Sequence, residues 1–421
     1  MAFPDIRKSR KWLGAEDIRL VVLVLILLIG LLVGNIMLAR VLPGGEWFFL
    51  RWSSARAFLI EKIEPYSTEI AQRTQQVAYG RPAFSSEYGF VPNDPFYLVL
   101  FYTPLAFLGD FALARGIWML LSEVALVGIV LLSLRLCEWQ PPRWLYVLLF
   151  LFGLFSYFSL NALATGTPTI LLTVLYLWIL IALRSHSDEL AGALLPFIAY
   201  HWEAGGLFFL FILIFVFANR RWNVLAGFAM SLFVLLVVSL LVYPGWELPY
   251  IRAVISDLRR GANLSLGHML LTWLPNSRYP VGGIISILFG LTMLIEWLGA
   301  SGSHFRHVVW TAALSLAVMP LMGLAVFPAD QVALLLPFIL ILALAWERWQ
   351  RRRGFVSVLI WLLALLIPFG LYIRSVYIYD PLVTDLISIL PPVAAVVGLY
   401  WMRWWVLHSP RTWFDQTGDQ A

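Results

Sequence analysis

The chain has 421 residues, of which 61% are hydrophobic and only 13% are charged, and its mean hydropathy is +0.84. Soluble globular proteins carry about 25% charged residues, so this composition excludes an ordinary soluble protein and predicts an integral membrane protein. The net charge of +5 comes largely from arginines at the ends of apolar runs, which sets orientation in a membrane and does not indicate nucleic-acid binding.

About twelve apolar runs approach the roughly 20 residues that a spanning helix needs, and they are too long and continuous for barrel strands. In chain order they are 20–39, 95–108, 115–136, 144–160, 168–183, 190–217, 222–243, 281–298, 308–327, 332–345, 356–373 and 386–406. We therefore expect an all-α polytopic membrane protein with a single domain over residues 1–421. The run 190–217 is interrupted by His201-Trp202-Glu203, so it is either one tilted helix or two half-helices.

The basic N-terminal segment precedes the first run, and no small-residue cleavage site follows, so we expect a retained first helix with a cytoplasmic N-terminus. Alternating crossings then define the segments outside the membrane. These are the outer loops 40–94 and 244–279 and the cytoplasmic tails 1–19 and 407–421. One short loop fits poorly, because 135–143 falls outside although it contains Arg135 and Arg143.

The first outer loop begins with a turn at Pro43-Gly44-Gly45, followed by aromatic residues at helical spacing. This spacing predicts an amphipathic helix rich in Trp and Phe, suited to the headgroup region. Glu46 falls in its first turn, where a carboxylate is favoured by the positive end of the helix. Glu46 is therefore either a helix cap or a site residue.

The order of motifs after the first helix resembles glycosyltransferase family 87, the polyprenyl-phosphate mannosyltransferase-like proteins with the GT-C membrane fold. An acidic residue is followed by aromatics, an Ala-containing helix, a Pro-Tyr and a helix that opens in Phe/Tyr-x-x-Pro. The matching residues are Glu46, Arg51, Ala55, Ala57, Glu64-Pro65-Tyr66, Tyr97 and Phe101-Tyr102-Thr103-Pro104, then 114–118, the stretch that begins at Asn161, and 219–222.

The resemblance implies a GT-C-like bundle of about 12 transmembrane helices, with two outer-face loops carrying short amphipathic helices. It implies a polyprenyl-phosphate sugar, mannose-like or a pentose, as co-substrate. We expect no other cofactor, and because no His/Cys/Asp cluster has the spacing of metal ligands, we expect no metal. The partners would be membrane lipid and a lipid or glycan acceptor, and an inverting transfer would take place on the outer face of a bacterial plasma membrane. The sequence departs from the family pattern at Glu46, where an aspartate is expected, at Thr165-Gly166-Thr167 in place of Gly-Gln, and at His201-Trp202-Glu203 in place of a lysine.

This chemistry needs a general base for the acceptor hydroxyl and cations for the departing phosphate. We predict Glu46 as the base, with Asp94 and Glu87 in reserve. The candidate phosphate partners are Arg51, Arg56, Arg252, Arg259, Arg260 and His268, and the resemblance adds Tyr97, Tyr102 and Asn161 to the donor-binding set. For the helix around Arg252, contact with lipid headgroups is the alternative.

His201 and Glu203 fall at membrane depth, where ionisable groups are costly and indicate a functional site by default. The alternative is that they pair with each other or with buried backbone in a broken helix. Asp330 follows Pro328 at the start of another run, where it either faces the outer cavity or caps the helix.

Three other functions remain open from the sequence. A lipid or solute transporter or flippase would favour charges along many helices, inverted repeats and broken helices, whereas here the intramembrane charges are few and we find no repeat. An O-antigen ligase or polymerase-like protein would carry a larger loop late in the chain. An inactive membrane scaffold is compatible with glutamate in the expected aspartate position.

Overall fold

The computed structural model describes residues 15–84, 87–261, 266–273, 281–322, 327–349, 352–378 and 381–408. These described ranges are helical and contain no strand, as the apolar runs predict. The side chains of Arg259, Arg260 and His268, which the sequence predicted as phosphate partners, lie outside the described residues.

The helices follow one another with short connections. They are α1 Ala15–Val41, α2 Glu46–Arg56, α3 Thr68–Tyr79, α4 Phe96–Phe101, α5 Thr103–Ala106, α6 Phe111–Leu136, α7 Arg143–Phe155, α8 Tyr157–Thr165, α9 Thr169–Arg184, α10 Asp188–Leu194, α11 Trp202–Ala218, α12 Trp222–Val242, α13 Glu247–Gly261, α14 Leu266–Trp273, α15 Val281–Ala300, α16 Phe305–Val318, α17 Leu335–Arg348, α18 Arg353–Tyr377 and α19 Pro381–Leu407.

Seven helices within the described ranges are long and apolar enough to cross a membrane, or eight when the bent pair α7–α8 is one span. Three further apolar helical segments, which include α9, α11 and α16, have 10–17 residues. The many-spanning, all-α architecture is confirmed, whereas the number of about twelve spans stays a prediction. Large apolar side chains face outward on α1, where Ile26 is 66% exposed, which is the surface expected of a lipid-facing helix.

Helix α1 packs closely along α6. A Cβ added at Gly116 would lie 2.6 Å from Cγ1 of Ile36, so the two backbones meet at a glycine. At one end of the pair, Nη2 of Arg40 lies 3.2 Å from Oδ2 of Asp110. Helix α6 therefore starts at the end of the bundle where α1 finishes.

The predicted span 95–108 is wrong. The chain there forms only α4 and α5, of six and four residues, which together are far shorter than the roughly 30 Å of the hydrocarbon core. Because this crossing is absent, the loop 135–143 lies at the bundle end opposite Glu46. Arg184 contacts it there, with Nη1 donating to the carbonyl of Arg135 at 3.4 Å.

Helix α2 forms as predicted, but it is buried rather than lying in the headgroup region. Phe48 and Ala55 are fully buried, and the indole of Trp52 donates to the carbonyl of Leu105 at 2.9 Å. The ring of Phe48 stacks on Trp118 with centroids 5.2 Å apart. The short helices α4 and α5 and the start of α6 thus cover α2 with protein instead of lipid.

The interrupted run 190–217 is two helices. Helix α10 ends in a 3₁₀ turn at Leu195–Phe197, and α11 begins only at Trp202. His201 occupies the break, where backbone groups are freed from helical hydrogen bonds. Of the two sequence alternatives, the broken helix is therefore the observed one.

Candidate functional site

The turn that leads into α2 is fixed by Arg115, a buried residue of α6. Its guanidinium donates to the carbonyls of Leu42 at 2.9 Å, Pro43 at 3.2 Å and Ala164 at 3.0 Å. The backbone N–H of Gly45 also donates to the carbonyl of Ala164, at 2.8 Å. The first residue of α2, Glu46, is thereby held between the ends of α1 and α8.

Gly45 has a φ of +82°, and a Cβ there would lie 2.7 Å from Nε of Arg115. Only glycine adopts this left-handed conformation without strain while letting the guanidinium approach the backbone. The sequence indicated only a turn at Gly44-Gly45. In the structure the guanidinium of Arg115 also packs against this turn, and we call this contact the Arg115 clamp.

Glu46 and Asn161, both predicted site residues, line one cavity of about 290 Å³. Its wall is largely aromatic, with the Trp47 ring 5.1 Å from that of Tyr88 and 5.2 Å from that of Phe327. Such a concave, mostly apolar cavity with a few polar groups is the usual form of a small-molecule site. We name it the Glu46 cavity.

The carboxyl of Glu46 is partly buried, and this burial raises its pKa above that of an ordinary glutamate. A hydrogen bond from its own backbone and the charge of Arg115 lower the pKa, but less than burial raises it. A carboxylate with a raised pKa is a better proton acceptor, which suits a general base.

Arg51 and Asp94, predicted as a phosphate partner and a reserve base, form a buried ion pair instead of standing free. Nε of Arg51 lies 2.8 Å from Oδ2 of Asp94, and Nη2 donates to Oδ1 at 3.1 Å. The hydroxyl of Tyr66 donates to the backbone carbonyl of Asp94 at 3.0 Å. The pair therefore ties α2 to the segment before α4, and its charges are largely compensated.

His201, at the break before α11, meets Asp330 from the segment before α17. Nε2 of His201 lies 3.3 Å from Oδ1 of Asp330, and Nδ1 lies 3.7 Å from the Glu203 carboxylate. Thr169 and Thr167 also donate to Oδ1 of Asp330, the latter at 3.3 Å. Asp330 is therefore more than a helix cap, because its carboxylate joins three segments in one polar cluster.

Asp257 on α13, which the sequence analysis did not single out, contacts Tyr88 in the wall of the Glu46 cavity. It accepts hydrogen bonds from the Tyr88 hydroxyl at 2.5 Å and from the Asn93 side chain at 2.7 Å. Burial raises the pKa of Asp257 to about 6, with the Glu203 carboxylate adding to the rise and the hydrogen bonds opposing it. Only the basic residues of this helix drew attention in the sequence, and an acid among them carried no motif.

An apolar groove of about 690 Å³ lies between α4, α6, α9 and the 3₁₀ turn after α10. Tyr102 and Tyr200 are among its few polar lining residues. The polar cluster adjoins both spaces along the chain. Tyr200 of the groove precedes His201, and Ala329 of the Glu46 cavity precedes Asp330. The residues of the His201–Asp330 cluster are therefore chain neighbours of lining residues of both the groove and the Glu46 cavity.

The other predicted residues lie around this site or away from it. The hydroxyl of Tyr97 donates to the carbonyl of Pro196 at 2.9 Å, near the groove. Arg56 lies 5.5 Å above the Trp52 ring and 3.8 Å from Glu61. Arg56 thus lies at the other end of α2 from Glu46 and does not line the Glu46 cavity.

Glu87 and Arg252 are both at the surface of the loops. Glu87 accepts two hydrogen bonds from Arg81, at 2.8 and 2.7 Å, and this contact lowers the pKa of its carboxyl. A carboxylate with a lowered pKa is a weaker base, so Glu46 fits the role of base better. Arg252 is exposed on α13. Within the described ranges, no group of three or more His, Cys, Asp or Glu residues has the arrangement of a metal site.

A family model described as glycosyltransferase family 87 matches residues 90–320, which is more than half of the chain. The match covers Asp94, Asn161, His201 and Asp257, whereas Glu46 precedes it. No curated protein and no solved structure matches the chain.

Proposed function

The chain belongs to glycosyltransferase family 87, and we propose that it moves a hexose or pentose from a polyprenyl-phosphate donor to a hydroxyl of a lipid or glycan acceptor. Membership of the family makes it a membrane glycosyltransferase, and this favours the transferase over the transporter alternative. The observation that carries the proposal is that Glu46 and Asn161, distant in sequence, line one aromatic-walled cavity.

The apolar groove supports a lipid-linked donor. Its volume of about 690 Å³ falls within the range of small-molecule sites, and its walls are almost entirely apolar. Phe101 and Leu121 in its lining are 58% and 48% exposed, so the groove opens sideways toward lipid. The isoprenoid chain would lie in this groove, and its phosphate would reach the polar cluster at His201.

Glu46 would act as the base in an inverting transfer. Its carboxylate takes the proton of the acceptor hydroxyl while the acceptor oxygen attacks the anomeric carbon. The bond between that carbon and the phosphate oxygen breaks, and its electron pair leaves with the polyprenyl phosphate. The configuration at the anomeric carbon is thereby inverted, and the proton on Glu46 passes to solvent. The side chain of Glu46 reaches one methylene farther than the aspartate expected at this place.

His201 is the better placed cation for the leaving phosphate. Arg51 is buried in its ion pair with Asp94 at 2.8 Å, whereas His201 directly follows Tyr200, a lining residue of the groove. In its charged form His201 would donate a charge-assisted hydrogen bond to a phosphate oxygen, with Asp330 orienting the ring. Such preorganised donors stabilise charge that develops in the transition state.

The distribution of arginine supports an outer-face site. The bundle end opposite Glu46 carries many of the arginines of the described helices, including Arg184, Arg221, Arg306, Arg348, Arg353 and Arg403. Basic residues gather on the cytoplasmic side of membrane proteins. The Glu46 cavity would then face the non-cytoplasmic side.

The test is sugar transfer in membranes that contain the full chain, with radiolabelled polyprenyl-phosphate mannose as donor and a lipid extract as the acceptor pool. We expect labelled product with the wild type and a loss of at least about 100-fold with Glu46→Gln, in line with the removal of a general base. Glu69→Gln is the matched control, because Glu69 is an exposed carboxylate of the same loop.

Equal labelling by the wild type and by Glu46→Gln would remove Glu46 from catalysis and leave it a helix cap. No labelling by the wild type would reject mannose, and other polyprenyl-phosphate sugars would be tried in the same assay. No labelling with any of them would contradict the polyprenyl donor.

A further inference from the structure

Arg348 ends α17 at the side of the bundle opposite the Glu46 cavity, and three indoles surround its guanidinium. Its central carbon lies 4.6 Å from the ring centroid of Trp349, 5.1 Å from that of Trp401 and 4.1 Å from that of Trp405. Such cation–π contacts hold a guanidinium in place without neutralising its charge. We name this arrangement the tryptophan cage.

The charge of Arg348 has no acidic partner in the part of the chain that the structure describes. Its neighbours differ, because Arg306 pairs with Glu347, and Nη2 of Arg403 lies 3.0 Å from the Glu296 carboxylate. One terminal nitrogen of Arg348, Nη1, is buried without a hydrogen-bonding partner among the described atoms. The tryptophan cage therefore holds an uncompensated positive charge at the end of the bundle opposite the Glu46 cavity.

An apolar groove of about 340 Å³ begins at the cage and runs between α17, α18 and α19. Trp401 belongs to both, since it covers Arg348 and lines the groove. Val397 and Leu363 in its lining are 61% and 49% exposed, so the groove faces the lipid. Gly398 permits this packing, because a Cβ there would lie 2.7 Å from Cδ1 of Ile341.

The depth of the groove matches one leaflet. Its lining extends to Phe338 on α17, ten residues before Arg348, and to Leu390 on α19, eleven residues before Trp401. Ten helical residues span about 15 Å. This is half of the roughly 30 Å of the hydrocarbon core.

We propose that the tryptophan cage and its groove bind one anionic phospholipid, with the phosphate headgroup at Arg348 and an acyl chain along the groove. The uncompensated charge favours an anionic over a zwitterionic headgroup, and the leaflet-deep groove favours a lipid over a soluble phosphate. Basic pockets between transmembrane helices are known to take such headgroups on the cytoplasmic side. The site is separate from the Glu46 cavity, which lies at the other end of α17.

The test is native mass spectrometry of the purified full chain, titrated with phosphatidylglycerol or with phosphatidylcholine of the same acyl chains. We expect the first phosphatidylglycerol to bind about fivefold more tightly than phosphatidylcholine, the effect of roughly one cation near an anionic lipid surface. Arg348→Gln should abolish this preference, and Arg348→Lys should retain part of it. The matched control is Arg374→Gln, an exposed arginine at the other end of α18, which should leave the preference unchanged.

A second variant keeps the charge and fills the groove. Val397→Trp should weaken binding of phosphatidylglycerol, while the same protein should still elute as the wild type does. An absence of headgroup preference in the wild type would overturn the proposal. A preference that survives in Arg348→Gln, or that disappears equally in Arg374→Gln, would overturn it as well.

Discussion

The hydroxyl of Tyr88 lies 2.5 Å from Oδ1 of Asp257, so a buried hydrogen bond joins the segment between α3 and α4 to α13, 169 residues later. The side chain of Asn93 donates to the other carboxylate oxygen at 2.7 Å. Tyr88 also lines the Glu46 cavity, and the contact therefore couples the position of α13 to the wall of that cavity.

Asp257 should make the stability of the protein depend on pH. Its pKa of about 6 lies above the ordinary value of 3.8, chiefly because of burial, so the folded protein holds this proton more tightly than the unfolded chain. The resulting penalty is absent below about pH 4, grows as the pH rises to about 6, and reaches about 3 kcal/mol at most. We expect Asp257→Asn to remove this part of the pH dependence, measured as the free energy of unfolding between pH 4 and 7. An unchanged pH dependence in the variant would contradict the assignment.

Removing one partner of the Arg51–Asp94 ion pair should destabilise the protein more than removing both. Arg51→Met leaves the Asp94 carboxylate buried and unpaired, and we expect a loss of about 3–5 kcal/mol in the free energy of unfolding. The double variant Arg51→Met with Asp94→Leu should recover much of this loss. If the double variant is as unstable as the two single effects combined, the buried pair is not the source of the effect.

Arg115 should lower the pH at which Glu46 becomes deprotonated and active as a base. The charge of Arg115 lowers the pKa of Glu46 against the larger effect of burial. A base must be deprotonated, so transfer activity should rise with pH through this pKa. We expect Arg115→Gln to move the rising limb of the pH–rate profile to higher pH, and Arg115→Lys to move it less. Coincident limbs in wild type and Arg115→Gln would show that another group sets the limb.

Gly45 should tolerate no side chain. Gly45→Ala combines a left-handed φ of +82° with a Cβ placed 2.7 Å from Nε of Arg115. Gly80→Ala is the control, because Gly80 has a φ of +68° but open space around its Cβ. We expect about 1 kcal/mol of lost stability for Gly80→Ala from backbone strain alone, and a clearly larger loss, with lost activity, for Gly45→Ala. Equal losses of stability in the two variants would mean that the Arg115 side chain moves aside at little energetic cost.

A bulky side chain in the large apolar groove should weaken the binding of long-chain donors more than that of short-chain donors. Gly128 lines this groove, and a Cβ there would meet nothing within 4 Å, so Gly128→Phe places a ring in it without disturbing α6. We expect a higher KM for a long polyprenyl-phosphate donor and little change for a short-chain analogue. Gly30→Phe on the lipid-facing helix α1 is the matched control, since Gly30 is equally unobstructed. The same KM change for both donors would argue against the groove as the site of the isoprenoid chain.

The sequence alone predicted the site only in part. Glu46 was recognisable because it stands directly after a long apolar run, and Asn161 because it fell within a family-like motif. Asp257 was not recognisable, because its role depends on Tyr88 and Asn93 in another loop. The pairing of Arg51 with Asp94 was equally invisible, because nothing local indicates which of several acids lies within 3 Å of an arginine.

Composition and apolar run length by themselves determined that the protein is an all-helical membrane protein, because a backbone in hydrocarbon must satisfy its own hydrogen bonds. The order of the motifs also determined the family. Only the tertiary structure decided that 95–108 forms two short helices instead of one long span and that α2 is buried. An apolar segment is equally stable against lipid and against protein, so its sequence does not distinguish the two environments. Packing distinguishes them, through contacts as specific as the indole of Trp52 on the carbonyl of Leu105.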